Sequence, residues 1–175
     1  MNEVLSDISE RFDLPPRLAR RPRDRRGLPV PFVQASHPDG SPDFTAVDAR
    51  LVMDAIGRHL CGLCGQRLDY WIAFVGGPTS VAQQMFLDPP MHVDCARAAL
   101  QLCPHMAHQV SRRASKTDAV APEGFVAGKP DAWFLYVTRT FKVRRTSDAY
   151  VLVAAPAKQL ERFDYVDGVL QPSDR

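Results

Sequence analysis

At 175 residues, with 45% hydrophobic and 24% charged side chains, the chain can build one packed core and is too apolar to be disordered. Its 22 Lys+Arg and 20 Asp+Glu leave a net charge of +2, too small to name a partner by itself. No apolar run approaches the ~20 residues of a membrane helix, and residues 1–10 lack the basic-then-apolar order of a signal peptide. A soluble, cytoplasmic protein with no membrane partner is expected.

All of the net charge lies at the N-terminus. Residues 11–27 carry seven arginines (Arg11, Arg17, Arg20, Arg21, Arg23, Arg25, Arg26) against Asp13 and Asp24, whereas residues 28–175 hold 15 basic and 15 acidic groups. Pro15, Pro16 and Pro22, with Pro29 and Pro31 just beyond, predict extended or polyproline II backbone for most of this arm. Three readings stay open: a solvated tail, an electrostatic arm for a phosphate backbone or acidic protein surface, and an apolar edge segment at residues 28–33 lying across the core. The organisation expected is a basic arm at 1–27, a folded domain at 28–165 and a C-terminal tail at 166–175.

Turn residues fill 37–43, and a helix is expected next, capped by Thr45 with Asp48 three residues on. Val47, Leu51, Val52, Ala55, Ile56 and Leu60 form its apolar stripe. Residues 68–75, rich in aromatic and β-branched types, predict a strand broken by Gly76-Gly77-Pro78. Residues 79–87 fit either a returning strand or a loop. Asp88 and Pro89 suit the N-cap and first position of a second helix running to about Leu102, stopped by Pro104. Residues 106–131 read as a weakly structured connection, 132–141 and 149–155 as strands, and Pro156 as the start of a short helix carrying Leu160 and Phe163.

The chemistry-bearing constellation is Cys61-Gly-Leu-Cys64-Gly65 followed, after 27 residues, by His92-Val-Asp-Cys95. Two thiolates at CxxC spacing grip one cation from a tight turn, and the glycines let the backbone fold beneath it. His92 and Cys95, three apart on a helix, offer a second pair, and a helix N-terminus favours thiolate charge. Cys₃His is a closed tetrahedral zinc set. Cys103 lies eight residues past Cys95, ~12 Å along a helix, so one ion cannot hold both; it reads as a small core residue. His105 and His108 are weaker candidates. A redox pair would need a βαβ context and a disulfide framework a secretory one, and neither is indicated.

The order of CxxC turn, strands and a helix bearing HxxC near its start resembles a treble-clef zinc finger over residues 61–102. More broadly, residues 20–155 resemble a set of uncharacterised small zinc-knuckle proteins of bacteria and their phages. That resemblance is carried by Arg26-Gly-Leu-Pro-Val-Pro-Phe32, Ala73-Phe-Val-Gly-Gly-Pro78, Asp88-Pro-Pro-Met-His-Val-Asp-Cys-Ala96, Cys103-Pro104 and Tyr136-Val-Thr-Arg139, with a departure at residues 80–84. It implies a single α+β domain with a treble-clef-like zinc site, a few antiparallel strands and two main helices, and it implies no activity.

Four ligands leave no open position for catalysis. The deaminase H-x-E is absent, Asp94 standing where the glutamate belongs, and no P-loop, GxSxG, HExxH or Rossmann glycine set occurs. The function expected is a non-enzymatic, zinc-stabilised module contacting nucleic acid through Arg17, Arg20, Arg21, Arg23, Arg25 and Arg26. Arg112, Arg113, Arg139, Lys142, Arg144 and Arg145 would assist, with exposed aromatics at Tyr70 and Trp71. Tyr70, Trp71, Trp133 and Tyr136 are alternatively strand core. A protein–protein interaction factor of host or phage, and a small-molecule enzyme with a pocket beside the metal or between the sheet and the His105/His108 segment, are the competing functions.

Overall fold

Two strands buried on both faces organise the chain. A computed structural model describes residues 12–109, 128–147 and 149–174. Its elements in chain order are α1 (Pro16–Ala19), β1 (Gln34–Ser36), β2 (Pro42–Val47), α2 (Ala49–Arg58), β3 (Ile72–Gly76), α3 (Pro78–Gln83), β4 (Met85–Phe86), β5 (Met91–His92) and α4 (Val93–Leu102). Then follow α5 (Pro104–Ala107), β6 (Ala132–Thr138), β7 (Phe141–Arg145), β8 (Tyr150–Ala154), β9 (Gln159–Val166) and β10 (Val169–Pro172). The fold is mixed α/β. All its sheets are antiparallel: five strands ordered β10-β9-β6-β3-β5, three ordered β4-β8-β7, and the pair β1-β2.

β3 and β6 pair from Ile72↔Thr138 to Gly76↔Phe134. Because side chains alternate across a strand, Ala73, Val75, Leu135 and Val137 enter one core while Ile72, Phe74 and Tyr136 enter another. A strand covered on both sides needs apolar residues at every position, which is why 72–75 reads as an unbroken apolar run. The first core gathers Cys61, Cys64, Cys95, Ala96 and Leu100 with Phe163, Leu170 and Leu18. The second takes Val52, Ala55 and Ile56 from α2 with Phe86, Leu152 and Ala154. Phe74 stacks on Phe86 at 4.8 Å between centroids and meets Phe141 edge-on at 5.8 Å.

Several boundaries differ from the sequence expectation. Thr45 does not cap a helix: residues 42–47 pair with β1, and Asp48 caps α2, accepting from the backbone N–H groups of Arg50 and Leu51. The second long helix starts at Val93, because Met91 and His92 are claimed by pairing with Ala73 and Ile72. Residues 78–83 are helical, with Gly77 as N-cap and Pro78 at the first position. The strand expected over 132–141 breaks after Thr138, and the chain returns as β7.

The C-terminal third departs most. No helix follows Pro156; residues 159–166 form β9 against β6, and the expected tail at 166–175 supplies β10, whose Leu170 is buried. At the other end, α1 interrupts the extended arm, since proline is tolerated in a first helical turn. Of the expected connection over 106–131, residues 110–127 lie outside the described residues, as do Arg11, Arg112 and Arg113. Among the described residues no helix is long and apolar enough to cross a membrane.

Candidate metal centre

Cys61, Cys64, His92 and Cys95 are brought together as the spacing predicts. All four are buried, all three thiols are free of disulfides, and their ligand atoms lie within 4.8 Å of one another. A tetrahedral ion with bonds of ~2.0–2.3 Å holds its ligand atoms ~3.5–4 Å apart. His92 Nδ1 lies 3.3 Å from Cys64 Sγ and 3.9 Å from Cys95 Sγ, so the donor set fits one metal ion.

The knuckle is pinned from two sides. Gly65 N–H donates to the Cys61 carbonyl and Cys61 N–H to the Gln66 carbonyl, closing the turn. Gly62 N–H donates to the Pro90 carbonyl, while Phe32 and Val33 donate to the carbonyls of Leu63 and Gly62. The apolar segment at 28–33 therefore lies against the knuckle as an edge. Gly65 has φ +75°, and a Cβ there would sit 2.7 Å from the Phe32 ring. Gly65→Ala is expected to cost about 1–3 kcal/mol. Gly57→Ala is the contrasting control, because that helical glycine has nothing within 4 Å and alanine should add about 0.5–1 kcal/mol. Urea midpoints moving in opposite directions would check both.

His92 is the N-cap of α4 and Cys95 its third residue, so the pair bridges strand end and helix start instead of sharing a helix face. The imidazole is oriented by its distal nitrogen. Nε2 lies 2.9 Å from the Arg67 carbonyl, which only accepts, so Nε2 carries a proton there and Nδ1 is the nitrogen turned to the sulfurs, the one that would give its lone pair to a metal. His92 N–H donates to Cys61 Sγ at 3.4 Å. Asp69, 3.9 Å from Nε2, is held in turn by Arg17 at 2.9 Å, and Arg17 also reaches Asp94 at 3.6 Å.

The electrostatics ask for a cation. Hydrogen bonds from Cys64 and then Cys95 drive the Cys61 thiol far down, while hydrogen bonding to Cys61 and Cys64 drives the Cys95 thiol far up. Burial opposes the charged imidazole of His92, yet the bonds to Cys61 and Cys64 outweigh it and raise His92 to about 10. Three thiols in one pocket cannot all ionise without a positive centre.

The remaining candidates separate. Cys103 caps the end of α4 and is half-buried, outside the cluster. His105 packs edge-on to Trp133 at 6.1 Å, and His108 is exposed and bridges to Val169. Of the arm, Arg17 is ion-paired to Asp69, Arg21 donates to the Val30 carbonyl, Arg23 to the Gly27 carbonyl, and Arg26 to Asp24. Arg20 and Arg25 are exposed. Arg139, Lys142, Arg144 and Arg145 are exposed as well, Arg144 reaching Met85. Tyr70 and Trp71 are on the surface, whereas Tyr136 is buried and Trp133 half-buried. The supporting Asp69 and the Arg67 carbonyl carry no sequence signal, because a backbone acceptor has none and an aspartate in a polar loop is commonplace.

No family model, no curated protein and no solved structure matches the chain.

Proposed function

We propose that the protein is a zinc-stabilised, non-enzymatic binding module whose partner is nucleic acid. The carrying observation is the buried Cys₃His cluster: three thiolates and one imidazole would together fill the four positions of a structural Zn²⁺ and leave none for substrate. Knuckle 61–65, the β3–β5 pair and α4 follow one another in the order of a treble clef, which supports that reading of the site. Zinc when bound would supply folding free energy, and the chain's own residues do the rest by orienting ligands and excluding water.

The nucleic-acid part rests on exposed guanidinium groups around that centre. Since four arm arginines are engaged within the protein, Arg20 and Arg25 are the arm residues best placed for phosphate. Binding of a short labelled single strand should weaken steeply with salt, each phosphate contact contributing about 0.7 to the slope of log K against log salt. The double variant Arg20→Gln, Arg25→Gln should lower that slope by about 1.4. An undetectable or salt-insensitive interaction in fluorescence anisotropy would overturn the reading.

A further inference from the structure

One loop, residues 66–71, joins the metal knuckle to β3, and both of its ends carry exposed recognition chemistry. At the first end is an open cleft of about 320 Å³ lined by Pro16, Arg17, Arg20, Arg67, Asp69 and Asp94 among others. Asp69 and Asp94 are both committed to Arg17, which leaves Arg20 and Arg67 exposed on its rim with one positive charge in excess. At the second end are Tyr70, 62% exposed, and Trp71, 37% exposed, in an edge-to-face pair with centroids 5.1 Å apart.

Arg139, arriving from the end of β6, lies 3.5 Å from the Tyr70 ring centroid and 5.9 Å from that of Trp71, and donates to the Tyr70 hydroxyl. Its guanidinium lies over one face of Tyr70, and 62% of the residue nevertheless stays exposed. Large apolar side chains are normally drawn under cover, and in the adjoining strand β3 they are: Ile72 and Phe74 are buried. The rings are held by a cation rather than by the core, which fixes their planes and leaves them wet.

We infer that this loop is a composite site for single-stranded nucleic acid, with Arg20 and Arg67 taking a phosphate in the cleft and Tyr70, Trp71 and Arg139 forming a platform on which an unpaired base stacks. Arg67 and Tyr70 are three residues apart, at most about 11 Å of chain, so phosphate and base grips fall within one short strand. The geometry favours bases over an acidic polypeptide. Both partners would answer the arginines, but only a nucleobase uses an open ring face next to a fixed guanidinium. Stacking of this kind is tolerant of sequence, so little base preference is expected. The inference rests on the nucleic-acid reading above and adds the site and the single-stranded character.

The test compares a fluorescein-labelled oligothymidylate with an abasic strand of the same length and charge, on the full-length, metal-loaded protein. The base-bearing strand should bind about 5- to 150-fold more tightly per stacked base. Tyr70→Ala with Trp71→Ala should erase that difference while abasic affinity stays put. Equal, salt-sensitive affinity for both strands would overturn the platform and leave the module reading standing. Polyglutamate displacing the oligothymidylate as well as unlabelled strand does would overturn it in favour of an acidic polypeptide. No binding to either strand at low salt would defeat both readings. The wild-type comparison needs no mutation, so disturbance of the neighbouring Asp69 cannot mimic the result.

Discussion

Stripping the metal with a strong chelator, or making Cys64→Ser, is expected to dismantle the core on the α4 side of the main sheet. Cys61, Cys64 and Cys95 are part of that core, at 0%, 6% and 0% exposure, alongside Ala73, Leu135 and Leu100. Without a cation, the same burial encloses three thiols that cannot all ionise, together with an imidazole. A structural zinc supplies an apparent ~10–16 kcal/mol, against ~5–15 kcal/mol for the whole stability of an ordinary domain. Losing even ~4 kcal/mol would lower the melting temperature by roughly 8–16 °C for a chain of this size. Acid acts in the same direction, because protons compete with the ion for thiolate and imidazole, so stability should fall as pH falls. Metal analysis, calorimetry and near-ultraviolet circular dichroism of holo and stripped protein check this together. Identical melting of the two, or a purified protein without stoichiometric zinc, would sink the zinc assignment.

The Cys₃His cluster was legible in the sequence because its constraints are local and chemical. CxxC and HxxC each bring two donors together within one turn, and few residue types can hold a soft cation. The central strand was legible over 72–75 for a similar reason, since burial on both faces writes an apolar run, but its expected start at 68 is four residues early, because 68–71 are a loop and Gly76 still pairs. What the sequence concealed was decided by distant pairing. Thr45 has good capping chemistry, but β1 captures its segment and passes the cap to Asp48. Asp88-Pro89 likewise looks like a helix start until Met91 and His92 pair with β3. Residues 159–172 have weak alternation, with only Phe163 and Leu170 buried, so nothing local announces that they complete the sheet. Of the three readings of the arm, the apolar edge at 28–33 is the one its contacts match, whereas prolines and arginines mask in composition the anchoring of Leu14 and Leu18 in the metal-side core.

Truncation to Leu28 is expected to destabilise the folded body by at least as much as Leu18→Ala alone, about 2–5 kcal/mol. Leu18 is 4% exposed and belongs to the metal-side core, and Leu14 packs against the same cluster. Backbone bonds fasten the segment further: Val30 N–H donates to the Pro22 carbonyl, and Asp24 N–H to the Leu28 carbonyl. Arg17 adds its pairs with Asp69 and Asp94, beside the imidazole of His92, so the segment also braces the metal site. A solvated tail would give a different result, with Leu18→Ala inside the ~0.5 kcal/mol typical of surface substitutions. Urea unfolding of Leu18→Ala, with exposed Arg25→Gln as control, separates the two outcomes. The result governs how binding experiments are built. If Leu18 anchors the arm, a truncated protein that fails to bind nucleic acid has lost core and metal bracing as well as charge. Only neutralising substitutions at exposed arginines then measure the electrostatic contribution by itself.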